Sequence, residues 1–128
     1  MKFLEVDIIE YENEYFPGWV RCSFADTFGK LWYIYEKAPI VSSDNITEET
    51  KLPIKGYVAG EIISQSGNIV YFCTEKPWYI ETEEGENKFY VYEEQLIDEE
   101  MPSRFYVARK QATVGRDTET RKETLNKQ

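Results

Sequence analysis

At 128 residues the chain has the length of one domain, and with 41% apolar and 16% aromatic residues it has ample surface to bury, which excludes disorder for its body. Acidic residues outnumber basic ones by 24 to 15, a net charge of −9 that repels rather than attracts a phosphate backbone. There is no histidine, which removes the usual general base near neutral pH, the Ser-His-Asp and Cys-His nucleophile pairs and nearly every catalytic zinc site.

The opening "MKFLEVDIIEYE" reaches acidic residues at once and lacks the apolar stretch of a secretion signal. No apolar run approaches the roughly 18 residues that span a bilayer. The expectation is a cytoplasmic protein without a membrane partner. Within Phe3–Tyr11, Leu4, Val6 and Ile8 alternate with Glu5 and Asp7, the pattern of a half-buried strand. "NEYFPG" turns the chain, and "WVRCSF" places Val20, Cys22 and Phe24 on one face. "ADTFGK" reverses it through Gly29, and "LWYIYE" returns as the partner strand up to Pro39, which cannot donate to a ladder. Ser42–Pro53 is the longest polar connection, with room for one helical turn capped by Asp44. "GYVAGEIIS" and "NIVYFCTE" form a second hairpin around "QSGN". A third reversal at Glu84–Gly85 leads into "KFYVYE", and "EEQLIDEEM" suits a short helix stopped by Pro102. "SRFYVA" (Ser103–Ala108) reads as one more strand, and residues 109–128 as a basic polar tail, flexible or an exposed helix.

Six or seven short strands with turn signals between them predict an all-β domain over residues 1–108. The expected form is a small closed antiparallel β-barrel, OB-like or SH3-like in size, because closure removes exposed edges. Two stretches of equal length, Gly18–Pro39 and Gly56–Pro77, align without a gap at an offset of 38, sharing Gly, Val, Gly, Tyr and Pro at five positions. Either two hairpins of one build need the same turn and end residues, or the chain holds a duplicated pair.

Charge is uneven. Residues 1–102 hold 8 Lys and Arg against 21 Asp and Glu, whereas residues 103–128 hold 7 against 3. Cys22 and Cys73 are expected to be buried thiols acting as small hydrophobes. No GxGxxG or GxxxxGK[ST] loop is present to cradle a phosphate, and no cofactor or metal is expected. Glu36 and Glu75, each followed by lysine, are the only candidate acid–base pair, and local pairing with that lysine accounts for them more simply. Trp19, Tyr33, Tyr35, Tyr90 and Tyr92 form an aromatic stripe that suits base stacking, protein contact or core. In Lys76–Phe89, Trp78 and Tyr79 follow a proline, and Glu81, Glu83, Glu84 and Glu86 surround the next turn. One apolar anchor beside several negative charges is how a recognition loop for a basic partner is built. A cation site at these glutamates lacks the D-x-[DN]-x-[DN]-G spacing.

The motifs "GWVRCSF…D..G..W…EKAP" and "PWYIETEEGENKF" resemble those of a family of small, uncharacterised bacterial proteins predicted to be β-barrels, over about residues 3–97. The resemblance implies the fold and no catalytic residue, activity or cofactor. The expected function is a non-catalytic protein-interaction module of a bacterial cytoplasm. It would bind another protein of basic character through Trp78, Tyr79, Glu81, Glu83, Glu84 and Glu86, as a toxin-neutralising immunity protein does. The alternatives are a small-ligand or carboxylate-based enzyme site at the barrel mouth, and single-strand nucleic-acid binding through exposed aromatics, which the acidic body opposes.

Overall fold

A computed structural model describes residues 1–98, and the expected strand at Ser103–Ala108 and the tail 109–128 lie outside them. Seven antiparallel strands make up the domain: β1 (Lys2–Glu12), β2 (Trp19–Ala25), β3 (Leu31–Lys37), β4 (Ile54–Ser66), β5 (Ile69–Cys73), β6 (Lys88–Tyr92) and β7 (Leu96–Ile97). Their order is β3-β2-β1-β4-β5-β6, and β7 returns to pair with β1 at Phe3 and Leu4. Among the described residues no helix is long and apolar enough to cross a membrane.

Alternation decides which face each strand buries. Leu4, Val6 and Ile8 of β1 point into one core with Val20, Cys22 and Phe24 of β2, Ile34 of β3, Val58 of β4, Val70 and Phe72 of β5, and Phe89 and Val91 of β6. Two bulges adjust this pattern. An extra residue in β1 between Ile8 and Glu10 changes the parity, so that Tyr11 packs against the core. Another lies in β4 between Ile62 and Ser64.

The long strand β4 joins two halves. It pairs with β1 from Ile54 to Gly60 and with β5 from Glu61 onward, so the sheet turns a corner at Gly60. A methyl group there would sit 2.5 Å from the Cys73 carbonyl oxygen and 2.6 Å from the Phe72 ring. Only glycine fits.

The sheet curls into a half-barrel and does not close, which corrects the closed barrel expected from the strand count. The strands at the ends of the path, β3 and β6, share no ladder, because loop groups cap their edges instead. Glu83 N donates to Tyr33 O at 2.8 Å on β3, and Thr27 N donates to Tyr90 O at 2.9 Å on β6. Gln95 then spans from one strand end to another. Its Oε1 accepts from Tyr92 N at 2.8 Å, and its Nε2 donates to Ala25 O at 2.9 Å.

Helical structure also falls elsewhere than expected. The helical turn after β3 is α1 (Ala38–Val41), with Pro39 in its first turn and Ile40 and Val41 buried. Asp44 caps no helix; its N–H donates to Ser42 Oγ. The helix expected in "EEQLIDEEM" is a 3-10 turn at Glu93–Gln95 followed by β7.

The two aligned stretches form hairpins on either side of β1, β2–β3 and β4–β5. Both first strands run antiparallel to β1, and both hairpins face the same core, with Val20 and Val58 buried alike. Their second strands, however, extend in opposite directions around the sheet. No rotation that keeps the core face inward carries one hairpin onto the other, so the two are not related by an internal twofold axis. Gly29 (φ 83°) and Gly67 (φ 61°) are both turn glycines. Gly67 opens a two-residue loop of the II′ kind, while Gly29 lies in a five-residue loop organised by Asp26.

Candidate interaction surface

The segment between β5 and β6, residues 74–87, is a strap laid over the open side of the sheet. Thr74 is buried and fixes both ends of it, accepting Ile80 N at the backbone (3.0 Å) and donating its hydroxyl to Ile80 O (2.6 Å), while Thr74 N donates to Asn87 O (2.8 Å). Ile80, fully buried, enters the main core. Thr82, also buried, closes the acidic turn through bonds from the N–H groups of Glu84 and Glu86, and Gly85 takes φ 85°.

The structure separates the six residues expected to form one recognition loop. Trp78 is half-buried and packs against the main core and against Phe3 and Ala59 on the other face of β1 and β4. Glu83 and Glu84 turn back onto the β2–β3 hairpin. Arg21 holds Glu83 through two bonds, Nε–Oε2 at 2.8 Å and Nη2–Oε1 at 2.9 Å, and Lys30 Nζ lies 2.9 Å from Glu84 Oε1. The Arg21 guanidinium holds the Glu83 carboxyl below the usual carboxylate range, chiefly through this hydrogen bonding. Tyr79, Glu81 and Glu86 remain outward. Tyr79 is 61% exposed with φ 54°, a strained conformation for a tyrosine, and its hydroxyl bonds Glu81, which pushes the phenol up. The four glutamates thus diverge, and among the described residues no group of three acidic or cysteine side chains is placed to hold a metal.

The aromatic stripe splits into two faces. On the outer side of β2 and β3, Trp19 stacks on Tyr35 at 5.1 Å, and the Tyr35 hydroxyl bonds Glu12, which pushes that phenol up to about 12. On the outer side of β5 and β6, Tyr71 stacks on Tyr90 at 4.5 Å, and Phe28 meets the Tyr90 ring edge-on at 6.0 Å. Ile69 and Tyr92, directly paired across the two strands, continue this face. Phe28 is 80% exposed but is not loosely held. Asp26 Oδ1 accepts its N–H at 2.9 Å, and the adjacent Thr27 N–H is bonded to Tyr90 O. Asp26 Oδ2 also accepts from Trp32 Nε1 at 2.9 Å.

Tyr71 and Phe28 were not among the sequence candidates. The signal for Tyr71 is present in "IVYFC", since Val70 and Phe72 inward require Tyr71 outward. Phe28 gives no such signal, because its place over Tyr90 depends on how the turn docks across the sheet.

The acid–base pair does not assemble as a buried site. Glu75 is exposed, Glu36 is half-buried with Oε1 accepting from Lys37 N, and among the described residues no carboxylate is buried. Cys22 is buried, and its thiol is pushed up to about 12, chiefly by desolvation, with Glu36 and Asp7 adding repulsion. Cys73 is only half-buried. At neutral pH a maleimide reagent should therefore modify Cys73 in the native protein and leave Cys22 unreacted until denaturant is added. Equal rates for both thiols, read by intact mass, would contradict the packing around Cys22.

Compared with known protein families, with curated proteins and with solved structures, the chain matches none.

Proposed function

We propose that this chain is a non-catalytic protein-interaction module that binds a basic protein partner. The observation that carries this proposal is the preassembled aromatic face of exposed Phe28, Tyr90 and Tyr92 and half-buried Tyr71, on a domain whose residues 1–98 hold 8 basic and 19 acidic side chains. Tyrosine and phenylalanine presented on rigid strands make contact area at low entropic cost, and acidic surroundings steer a basic partner towards it.

A bacterial cytoplasm is the natural setting of such a module, and toxin neutralisation is one instance of the class. An SH3-like frame fits the strand order β7-β1-β4-β5-β6 with a 3-10 turn before β7, the β2–β3 hairpin being an insertion. Such frames serve many functions, so the surface carries the proposal. Of the original loop, Tyr79, Glu81 and Glu86 stay available as a secondary contact.

Affinity capture with the immobilised full chain tests this. Basic proteins should be retained at low salt and released as screening rises towards roughly 0.5 M. Retention that ignores the charge of the captured proteins, or resists salt, would reject a basic partner.

A further inference from the structure

The fold covers several half-buried aromatic rings with its own cations. The Arg21 guanidinium lies 4.0 Å from the centre of the Tyr33 ring, Lys30 Nζ 4.3 Å from that of Trp32, and Lys37 Nζ 5.8 Å from that of Trp19. Each is a cation–π arrangement. On the outer face of β5 and β6 the rings are packed against one another, yet among the described residues no lysine or arginine lies over Phe28, Tyr71, Tyr90 or Tyr92.

Resting on the interaction function proposed above, we infer that this face docks an extended, arginine-rich segment of the partner, whose guanidinium groups stack on the open tyrosines. Two features favour that occupant. Tyr90 and Tyr92 are two residues apart on one strand, about 6.5–7 Å, which is also the spacing of alternate side chains in an extended peptide. Acidic residues bracket the face, with Glu61 in register with Cys73 at one end and Glu93 and Glu94 following Tyr92 at the other. The only charged residue within the two strands is Lys88, which lies across from Cys73 at the end where Glu61 stands, so the acidic residues that favour the occupant flank the rings rather than sit among them. Single-stranded nucleic acid would stack on the same rings but meets a domain of the wrong charge, and a second copy of this chain brings the same negative charge.

Fluorescence anisotropy with labelled nona-arginine at physiological salt tests the assignment, using the full chain and variants that retain its circular dichroism and melting temperature. The expected result is binding that weakens at least tenfold in Tyr71→Ala/Tyr90→Ala and several-fold in Phe28→Ala, and changes less than twofold in Tyr35→Ala. Phe28 is largely exposed, so its variant keeps the test open if the double variant misfolds. Binding that survives both variants but falls in Tyr79→Ala/Glu81→Gln would overturn the face while leaving the basic-partner function standing. No binding of nona-arginine at all would remove both. Binding of a labelled oligothymidine, or self-association in sedimentation that Tyr90→Ala abolishes, would overturn the arginine-rich occupant in favour of that ligand.

Discussion

Replacing Ile80 by alanine should destabilise the domain by about 2–5 kcal/mol, the range for truncating a buried aliphatic side chain. The size of the effect is unexpected for a residue in a loop. Ile80 belongs to no strand, yet it is fully buried among residues from β1 to β6 and is tied at both its N–H and C=O to Thr74. Loss of its side chain leaves a cavity where the strap enters the core, between the two halves of the sheet. Urea unfolding should show a lower midpoint with an unchanged slope, since the native fold persists. Tyr79→Ala, one residue away but outward, is the control and should shift stability by no more than about 0.5 kcal/mol. If Ile80→Ala behaved like that control, the strap would be an ornament on the sheet rather than part of its core.

The same residue helps set where the charges of the acidic loop lie. With Ile80 seated, Glu83 and Glu84 are delivered to Arg21 and Lys30, and the backbone of Glu83 caps the β3 edge. Two of the loop's charges pair with the protein's own cations while keeping 38% and 57% of their side-chain surface exposed.

The strands, their inward faces and the turn glycines were legible because they depend on local alternation and on φ above zero. Leu4, Val6, Ile8, Val20, Cys22 and Phe24 point inward as their spacing requires. What sequence could not provide was long-range assignment. Nothing local to Glu83 says that Arg21, 62 positions earlier, will hold it. The aromatic stripe showed the same difficulty. Tyr33 and Tyr90 look equivalent in sequence, but one lies under Arg21 and the other lies open beside Phe28. Closure failed for a related reason. Counting strands predicts a barrel, whereas capping of β3 and β6 by Glu83, Thr27 and Gln95 makes a further ladder unnecessary.

Gly60→Ala should also be costly, by about 2 kcal/mol or more, because the added methyl overpacks a full core. In an ordinary strand the change to alanine would help, as glycine loses more backbone freedom on folding. Here φ is not the issue; space is. The methyl would lie within 2.5 Å of the Cys73 carbonyl oxygen and 2.6–2.7 Å of the Phe72 ring, against about 3.4 Å for ordinary contact. Among the described residues Phe72 is the largest fully buried side chain, and it belongs to the close-packed core, paired across the ladder with Phe89, so it has little room to swing aside. The carbonyl belongs to β5 beside the first β4–β5 pair, Glu61 with Cys73, so relief means opening the corner where β4 leaves β1. The melting temperature should fall on the order of 10 °C. A second consequence separates strain at the corner from simple loss of packing. Amide exchange should rise first in β5 and β6, whose position depends on the bend, and least in β2 and β3, which are anchored to the other side of β1. Since Tyr71, Tyr90 and Tyr92 ride on β5 and β6, nona-arginine affinity should weaken in Gly60→Ala even under conditions where the chain stays folded. Uniform exchange across all strands with unaltered affinity would mean that the corner does not position the aromatic face.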